Sequence, residues 1–203
     1  MIVDPGTARQ VDIYKLMIGA IVPRPIAFVS TMSAEGALNL APFSFFNAIG
    51  SAPPLICFTA GVRARSDPSK DTLRNIVRTG EFVVNLVSEE IAEKMNITSG
   101  DYPPEVDEFA LAQLTPIPSD LVKPPRVKES RFQMECKRYL MVEVGALPGG
   151  GTLVLGEVLR FHIADDVIDD NLRINPDKLR AIGRMGGMSY TRTRDRFDMV
   201  RPK

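Results

Sequence analysis

Apolar positions in this chain fall mostly in short strand-like runs. Ile26 to Met32 is rich in apolar and β-branched side chains and predicts a strand. Ser33 to Ala37 follows as a turn, with Gly36 free to take positive φ. Leu55 to Thr59 and Phe82 to Val87 are continuous apolar runs of the kind seen in buried strands. From Phe132 to Val144 the pattern has a period of two: Phe132, Met134, Cys136, Leu140, Val142 and Val144 face one way. Arg131, Gln133, Glu135, Lys137 and Glu143 face the other, which predicts a half-buried antiparallel strand with those polar residues in solvent. Leu147 to Gly151 makes a tight connection into a second long strand, Thr152 to Ile163, so the two form a hairpin.

Helical signals are fewer. Asp71 to Thr79 predicts a short helix closed by Gly80. Ser88 to Met95 predicts another with Ser88 as N-cap, and Lys178 to Arg184 a third. Strands outnumber helices and do not alternate with them, which argues against a doubly wound sheet. The expected class is mainly β, a closed or partly closed antiparallel barrel with a few flanking helices. The 203 residues suit one domain, 1–203, with a core at about 15–165 and a C-terminal extension at 166–203.

Charge narrows the function classes. Lys+Arg and Asp+Glu are 25 each, so there is no basic excess for neutralising nucleic-acid phosphates. One His and two Cys cannot build a zinc site of the usual kind, so no metal is expected. The uncharged stretch Gly36 to Val62 is broken by Pro42, Pro53, Pro54 and several polar residues, which excludes a spanning helix. The N-terminus lacks the pattern of an export signal, so the expected compartment is the cytoplasm. Glu89 to Glu108 holds seven acidic residues against one Lys, and reads as solvated surface. Arg173 to Lys203 holds nine basic residues against three acidic. That tail is either solvated surface or a cover for an anionic ligand or a subunit boundary.

Two segments carry candidate chemistry. In the first, Ser30 and Thr31 end an apolar strand, and Asn39 and Ser44 lie among small and aromatic residues. Such a surface suits a flat heteroaromatic ring, or its hydroxyls simply satisfy a turn. In the second, Arg63, Ser66, Lys70, Asp71 and Thr72 lie at the start of the helix at 71 to 79. Backbone N–H groups and the helix dipole attract phosphate there; plain capping is the alternative. His162, the single histidine, reads as a partly exposed structural residue.

PRPIAFVST (23–31), NLAPFS (39–44), KDT (70–72) with Asn75 and Ile76, and EFVVN (81–85) together resemble the flavin reductase-like FMN-binding split-barrel family. GTLVLGEV (151–158) with His162 is similar to that family's last barrel hairpin, and RMGGMSY (184–190) to the C-terminal signature of one branch. The resemblance implies a homodimer of six-stranded antiparallel Greek-key split barrels with FMN near the interface. On matching positions, Ser30 and Thr31 would face the isoalloxazine ring, and Asn39, Ala41, Pro42 and Ser44 would line its polar edge. Arg63, Ser66, Lys70, Asp71 and Thr72 would surround the phosphate, and Arg184 and Tyr190 would close a substrate pocket. The function it implies is an FMN-dependent oxidoreductase passing electrons from NAD(P)H to an acceptor, such as a redox partner or monooxygenase. The alternative is an FMN-binding electron carrier without its own NAD(P)H activity. One departure favours that alternative: several reductases of the family carry a His just before the last strand, where this chain has Gly151. Hydride transfer needs no side-chain acid or base, so no catalytic residue is assigned.

Overall fold

A computed structural model describes residues 1–62 and 71–202. In chain order the elements are α1 (Gln10–Ala20), β1 (Ala27–Met32), β2 (Leu38–Phe43), β3 (Phe46–Ser51), β4 (Pro54–Gly61), α2 (Asp71–Thr79) and β5 (Glu81–Leu86). Then come a 3-10 turn (Glu89–Ile91), α3 (Ala92–Ile97), α4 (Glu108–Leu111), β6 (Pro116–Ile117), β7 (Arg126–Val127), β8 (Phe132–Glu143) and β9 (Gly151–Ile163). The chain ends with α5 (Pro176–Leu179), β10 (Ile182–Arg184) and β11 (Tyr190–Arg192).

The main sheet is antiparallel with strand order β2-β1-β5-β8-β9-β4-β3. It has seven strands rather than six because Phe46–Ser51 doubles back on β4 as an edge strand. The sheet curls around one core, to which β1, β2, β4, β5, β8 and β9 all contribute. Ala27, Val29, Phe58, Phe82, Cys136 and Val154 are fully buried there. Phe43, Phe58 and Phe82 pack in series, the first pair tilted and the second edge-to-face, with centroids 4.9 and 5.7 Å apart. The apolar face of α2, through Ile76 and Leu73, plugs one end. This helix spans the residues expected, and Gly80 ends it at φ 73° with its N–H donating to the Ile76 carbonyl.

β1 alternates, and both of its faces are buried. Ala27 and Val29 enter the inner core, while Ile26 and Phe28 join an outer cluster with Leu40, Ile91, Met95, Phe109 and Val127. Two other expectations fail. Lys178 to Arg184 is not a helix, because α5 stops at Leu179, Arg180 turns left-handed at φ 51° and the chain continues as β10. The Ser88 helix divides into a 3-10 turn and α3, and the Ser88 side chain makes no capping hydrogen bond. No helix among the described residues is long and apolar enough to cross a membrane.

The β8–β9 hairpin follows its expected span but not its expected faces. Bulges between Glu135 and Cys136 and between Arg138 and Leu140 shift the register. Gln133 and Glu135, expected in solvent, are buried at 6% and 0% exposure. They lie under residues 116–130, whose backbone they satisfy: Gln133 donates to the carbonyls of Val127 and Ser130, and Glu135 accepts from Asp120, Leu121 and Val122. Beyond the second bulge the faces exchange: Met141 packs on the core, and Leu140, Val142 and Val144 are exposed.

Candidate functional site

Strand alternation separates the residues expected to act together. Thr31 follows Ala27 and Val29 on the inner face, where its Oγ1 accepts hydrogen bonds from Asn39 at 3.1 Å and Asn75 at 3.0 Å. Asn39 also donates to Thr72 at 3.0 Å. All four are at most 8% exposed, so Thr31, Asn39 and Thr72 form a buried polar joint with Asn75 that fixes the first turns of α2 against β1 and β2. Ser30 is a correction: its side chain points to the opposite face, donates to the Pro125 carbonyl at 2.5 Å and accepts from Asn85 at 3.3 Å. Two neighbours on one strand cannot both present side chains to a ring on the same face. Ala41 also departs from the expected edge, since it packs on the inner core.

Two clefts lie near the two ends of β2, an edge strand of the sheet. Asn39 and Asp71 meet in one of about 230 Å³, together with Arg74, Asn75, Arg78 and Glu108. Asp71 is the first residue of α2 and is paired with Arg74. Arg63, Ser66 and Lys70 lie outside the described residues.

Glu108 belongs to the acidic stretch expected to be solvated, yet it is 9% exposed and accepts the Leu40 N–H at 3.0 Å. Burial raises its pKa above 4.5 against the lowering effect of that N–H. A raised folded value gives stability that is complete below the unfolded pKa and is lost as pH rises through the folded one. Glu108→Gln should therefore be at least as stable as the parent at neutral pH. Its thermal midpoint should also fall less between pH 5 and pH 8; equal falls in the two proteins would contradict the assignment.

Pro42, Ser44, Arg184 and Tyr190 meet in the second cleft, of about 220 Å³, with Arg24 and Asn96. The hairpin of β10 and β11 brings Arg184 and Tyr190 there, with the guanidinium carbon 4.5 Å from the ring centroid. The basic tail is tied down by Glu89, which holds Arg180 at 3.2 Å, Arg192 at 3.2 Å and Arg194 at 2.5 Å. The arginines hold this carboxyl below the ordinary glutamate value. Glu89 and Glu90 thus anchor the tail, whereas Glu93, Asp101, Glu105 and Asp107 of the same stretch are exposed as expected.

Sequence reasoning missed Arg24, which is 5% exposed beneath this cleft. A signal was present, as it is the lone charged residue between Lys15 and Glu35. His162 has the structural role expected: its side chain is 17% exposed and lies 2.6 Å from Glu135. Asp120, Glu135 and His162 offer ligand atoms within 4.8 Å of one another. Both Glu135 oxygens are already engaged by backbone N–H groups.

Residues 18–183 match the family described as the flavin reductase-like domain. The chain belongs to that family. Among solved structures, this flavin reductase-like chain is similar to nitrilotriacetate monooxygenase component B from Bacillus cereus, at 37% identity and TM-score 0.92 over 98% of each chain. It is also similar to the 2-nitrobenzoate 2-nitroreductase NbaA of Pseudomonas fluorescens, at 32% identity and TM-score 0.90 over 100% of this chain and 96% of that one. A split barrel domain protein from Shewanella frigidimarina, at 21% identity and TM-score 0.85 over 100% of both chains, shares the fold. The flavin reductase-like chain is accordingly a split barrel. Arg184 and Tyr190 lie just beyond the matched stretch.

Proposed function

We propose that the protein is an FMN-binding oxidoreductase that passes electrons from NAD(P)H to an acceptor. The observation that carries this reading is the placement of the two clefts along one edge strand. The α2 end has a helix N-terminus with Asn39 and Asp71, suited to the polar end of a mononucleotide. At the other end lies the Pro42, Ser44, Arg184 and Tyr190 cleft, suited to a second reactant. About five residues of strand separate Asn39 from Ser44, or roughly 17 Å at ~3.3 Å per residue. These donors fit an elongated ligand that is anionic at one end and flat at the other. Asn39, Asp71 and the backbone N–H groups that open α2 would face the phosphate and ribityl end, with Thr31 and Thr72 holding them in place from beneath, and Pro42 and Ser44 the ring edge, partly through backbone groups. Bound flavin would supply a two-electron carrier, while the protein supplies position and a dry site. Arg184 and Tyr190 cover the cleft, and Arg24 brings a buried positive charge beneath it.

A second reading, an FMN-binding electron carrier without its own nicotinamide site, is favoured by one observation. Gly151 stands where related reductases carry His, and a Cβ there would meet the Ala60 carbonyl oxygen and the Thr59 methyl, each at 2.9 Å. No side chain fits at that position without backbone movement. The likeness to a monooxygenase component suggests an oxygenase as acceptor. The exposed Leu140, Val142, Val144 and Leu147 of the distal hairpin support a homodimer, which a one-chain mass in solution would reject.

The absorption spectrum of the purified protein, followed by anaerobic NADH and NADPH, tests these readings. Flavin bands that bleach with either nucleotide support the reductase. Bands that respond only to dithionite or a redox partner support the carrier. Protein that neither carries flavin nor binds added FMN removes both.

A further inference from the structure

Most arginines with a described ion pair sit near the surface: Arg131 faces Asp166, Arg160 faces Asp120, Arg196 faces Asp177, and Arg180, Arg192 and Arg194 face Glu89. Arg24 and Arg184 differ. Neither has a carboxylate partner among the described residues, and no Asp or Glu lines their cleft. They are held together by the backbone, with Arg24 N–H donating to the Arg184 carbonyl at 2.9 Å and the reverse bond at 2.8 Å.

Among the described residues, the Arg24 guanidinium meets neutral oxygens and the Phe45 ring, whose centroid lies 5.8 Å from its carbon. Nη1 donates to the carbonyls of Ile18 and Ile21 at 2.8 Å each, Nη2 to that of Met185 at 3.0 Å, and Nε approaches the Ser44 hydroxyl at 3.4 Å. These bonds fix its orientation but leave its charge uncompensated, and buried charges are ordinarily paired. Arg184 stacks on Tyr190 and donates to the Gly187 carbonyl at 2.6 Å. Burial lowers the Arg24 pKa, Tyr14 opposes that, and the nearby positive charge of Arg184 lowers it further. An anion in the cleft would relieve both the burial and the repulsion.

The cleft also sets the size and shape of that anion. Its 220 Å³ is the space of about seven waters at ~30 Å³ each. That is below the roughly 300–1,000 Å³ of pockets for drug-sized ligands, and it suits a small molecule. Ile18, Ile26, Pro42 and Met95 supply apolar wall, and Tyr14 and Asn96 add polar groups. A phosphate has a separate place at the amino end of α2. A planar carboxylate on a small apolar body matches the Arg184 guanidinium with the Arg24 charge, and its one remaining N–H, beneath.

We propose that this cleft binds a small organic acid, with Arg24 and Arg184 recognising its carboxylate and the apolar wall holding its body. Its role as the second reactant rests on the flavoprotein reading, whereas binding itself does not. Calorimetric titration of the full chain, with and without added FMN, with benzoate and with the neutral isostere benzamide is the test. Benzoate should bind saturably and at least tenfold more tightly than benzamide. Arg184→Gln should lose tenfold or more in benzoate affinity, with its thermal midpoint retained. Arg184→Lys should fall between, since it keeps the charge and loses the fork. Equal binding of benzoate and benzamide by the parent protein overturns the proposal even if no variant folds. So does an Arg184→Gln protein that binds benzoate as the parent does. FMN competition with benzoate, coupled with FMN loss in Arg184→Gln, would assign the arginines to the cofactor's phosphate and also overturn it. Benzoate binding by a parent protein that refuses FMN would leave the acid site standing and remove the flavoprotein reading.

Discussion

Glu135→Ala is expected to lower the unfolding free energy by about 3–5 kcal/mol, the range for breaking a buried charged pair by removing one partner. The carboxylate is 0% exposed, and its Oε1 accepts from Asp120 N–H at 2.8 Å. Oε2 accepts from Leu121 at 2.6 Å and Val122 at 3.2 Å, and His162 lies 2.6 Å away. Alanine leaves those backbone donors facing a cavity, and each orphaned buried group costs about 1–3 kcal/mol. Urea denaturation measures the loss; a change under 1 kcal/mol would mean that residues 116–130 do not depend on this residue. A pH dependence follows as well. Burial raises the pKa of Glu135, but the Asp120 and Leu121 N–H groups and His162 outweigh it and bring the value below 4.5. A depressed folded value stabilises above the unfolded pKa, and that stability is lost as pH falls through the folded one. Glu135→Gln should therefore lose less stability than the parent between neutral pH and about pH 3.

That prediction concerns a residue whose burial the sequence pattern hid. Alternation places Glu135 opposite Met134 and Cys136, and in an isolated hairpin that face is solvent. Its cover comes from a segment without helix or strand periodicity, and the donors are backbone N–H groups that no residue type reveals. The bulges after Glu135 and Arg138 are equally silent in the pattern. By contrast, β1, β4, β5 and α2 were legible because their signals are local: apolar runs bounded by turns, and a helix ended by Gly80. α1 was not, since Ile18 is its single buried residue and its apolar stripe is weak. At the site, the family motifs pointed to residues 39–44 and 70–72, and the described part of these segments lies near the two clefts. The split between Ser30 and Thr31 could have been read from the strand period alone. Arg24 could have been noticed as a single charge in an apolar stretch. The assembly of Arg184 with Pro42 could not, because it depends on a hairpin returning across about 140 residues of sequence.

The buried joint at α2 should be the second most sensitive point. Thr31→Val keeps the shape of the side chain and removes the oxygen that accepts both Asn39 and Asn75. Asn39 retains its bond to Thr72, whereas the Asn75 amide loses its described acceptor. With these buried amides left short of partners at about 1–3 kcal/mol each, the loss should be about 2–4 kcal/mol. On the flavoprotein reading proposed above, the same change should weaken FMN binding although the hydroxyl is enclosed, because the joint sets where Asn39 and Asp71 stand. A double-mutant cycle separates a shared network from independent contacts. If Thr31 and Asn75 act as one unit, Thr31→Val combined with Asn75→Ala should cost less than the sum of the two singles by 0.5 kcal/mol or more. Additivity within about 0.3 kcal/mol would show two unrelated contacts. Loss of FMN affinity without loss of stability in Thr31→Val would instead place the hydroxyl on the ligand itself.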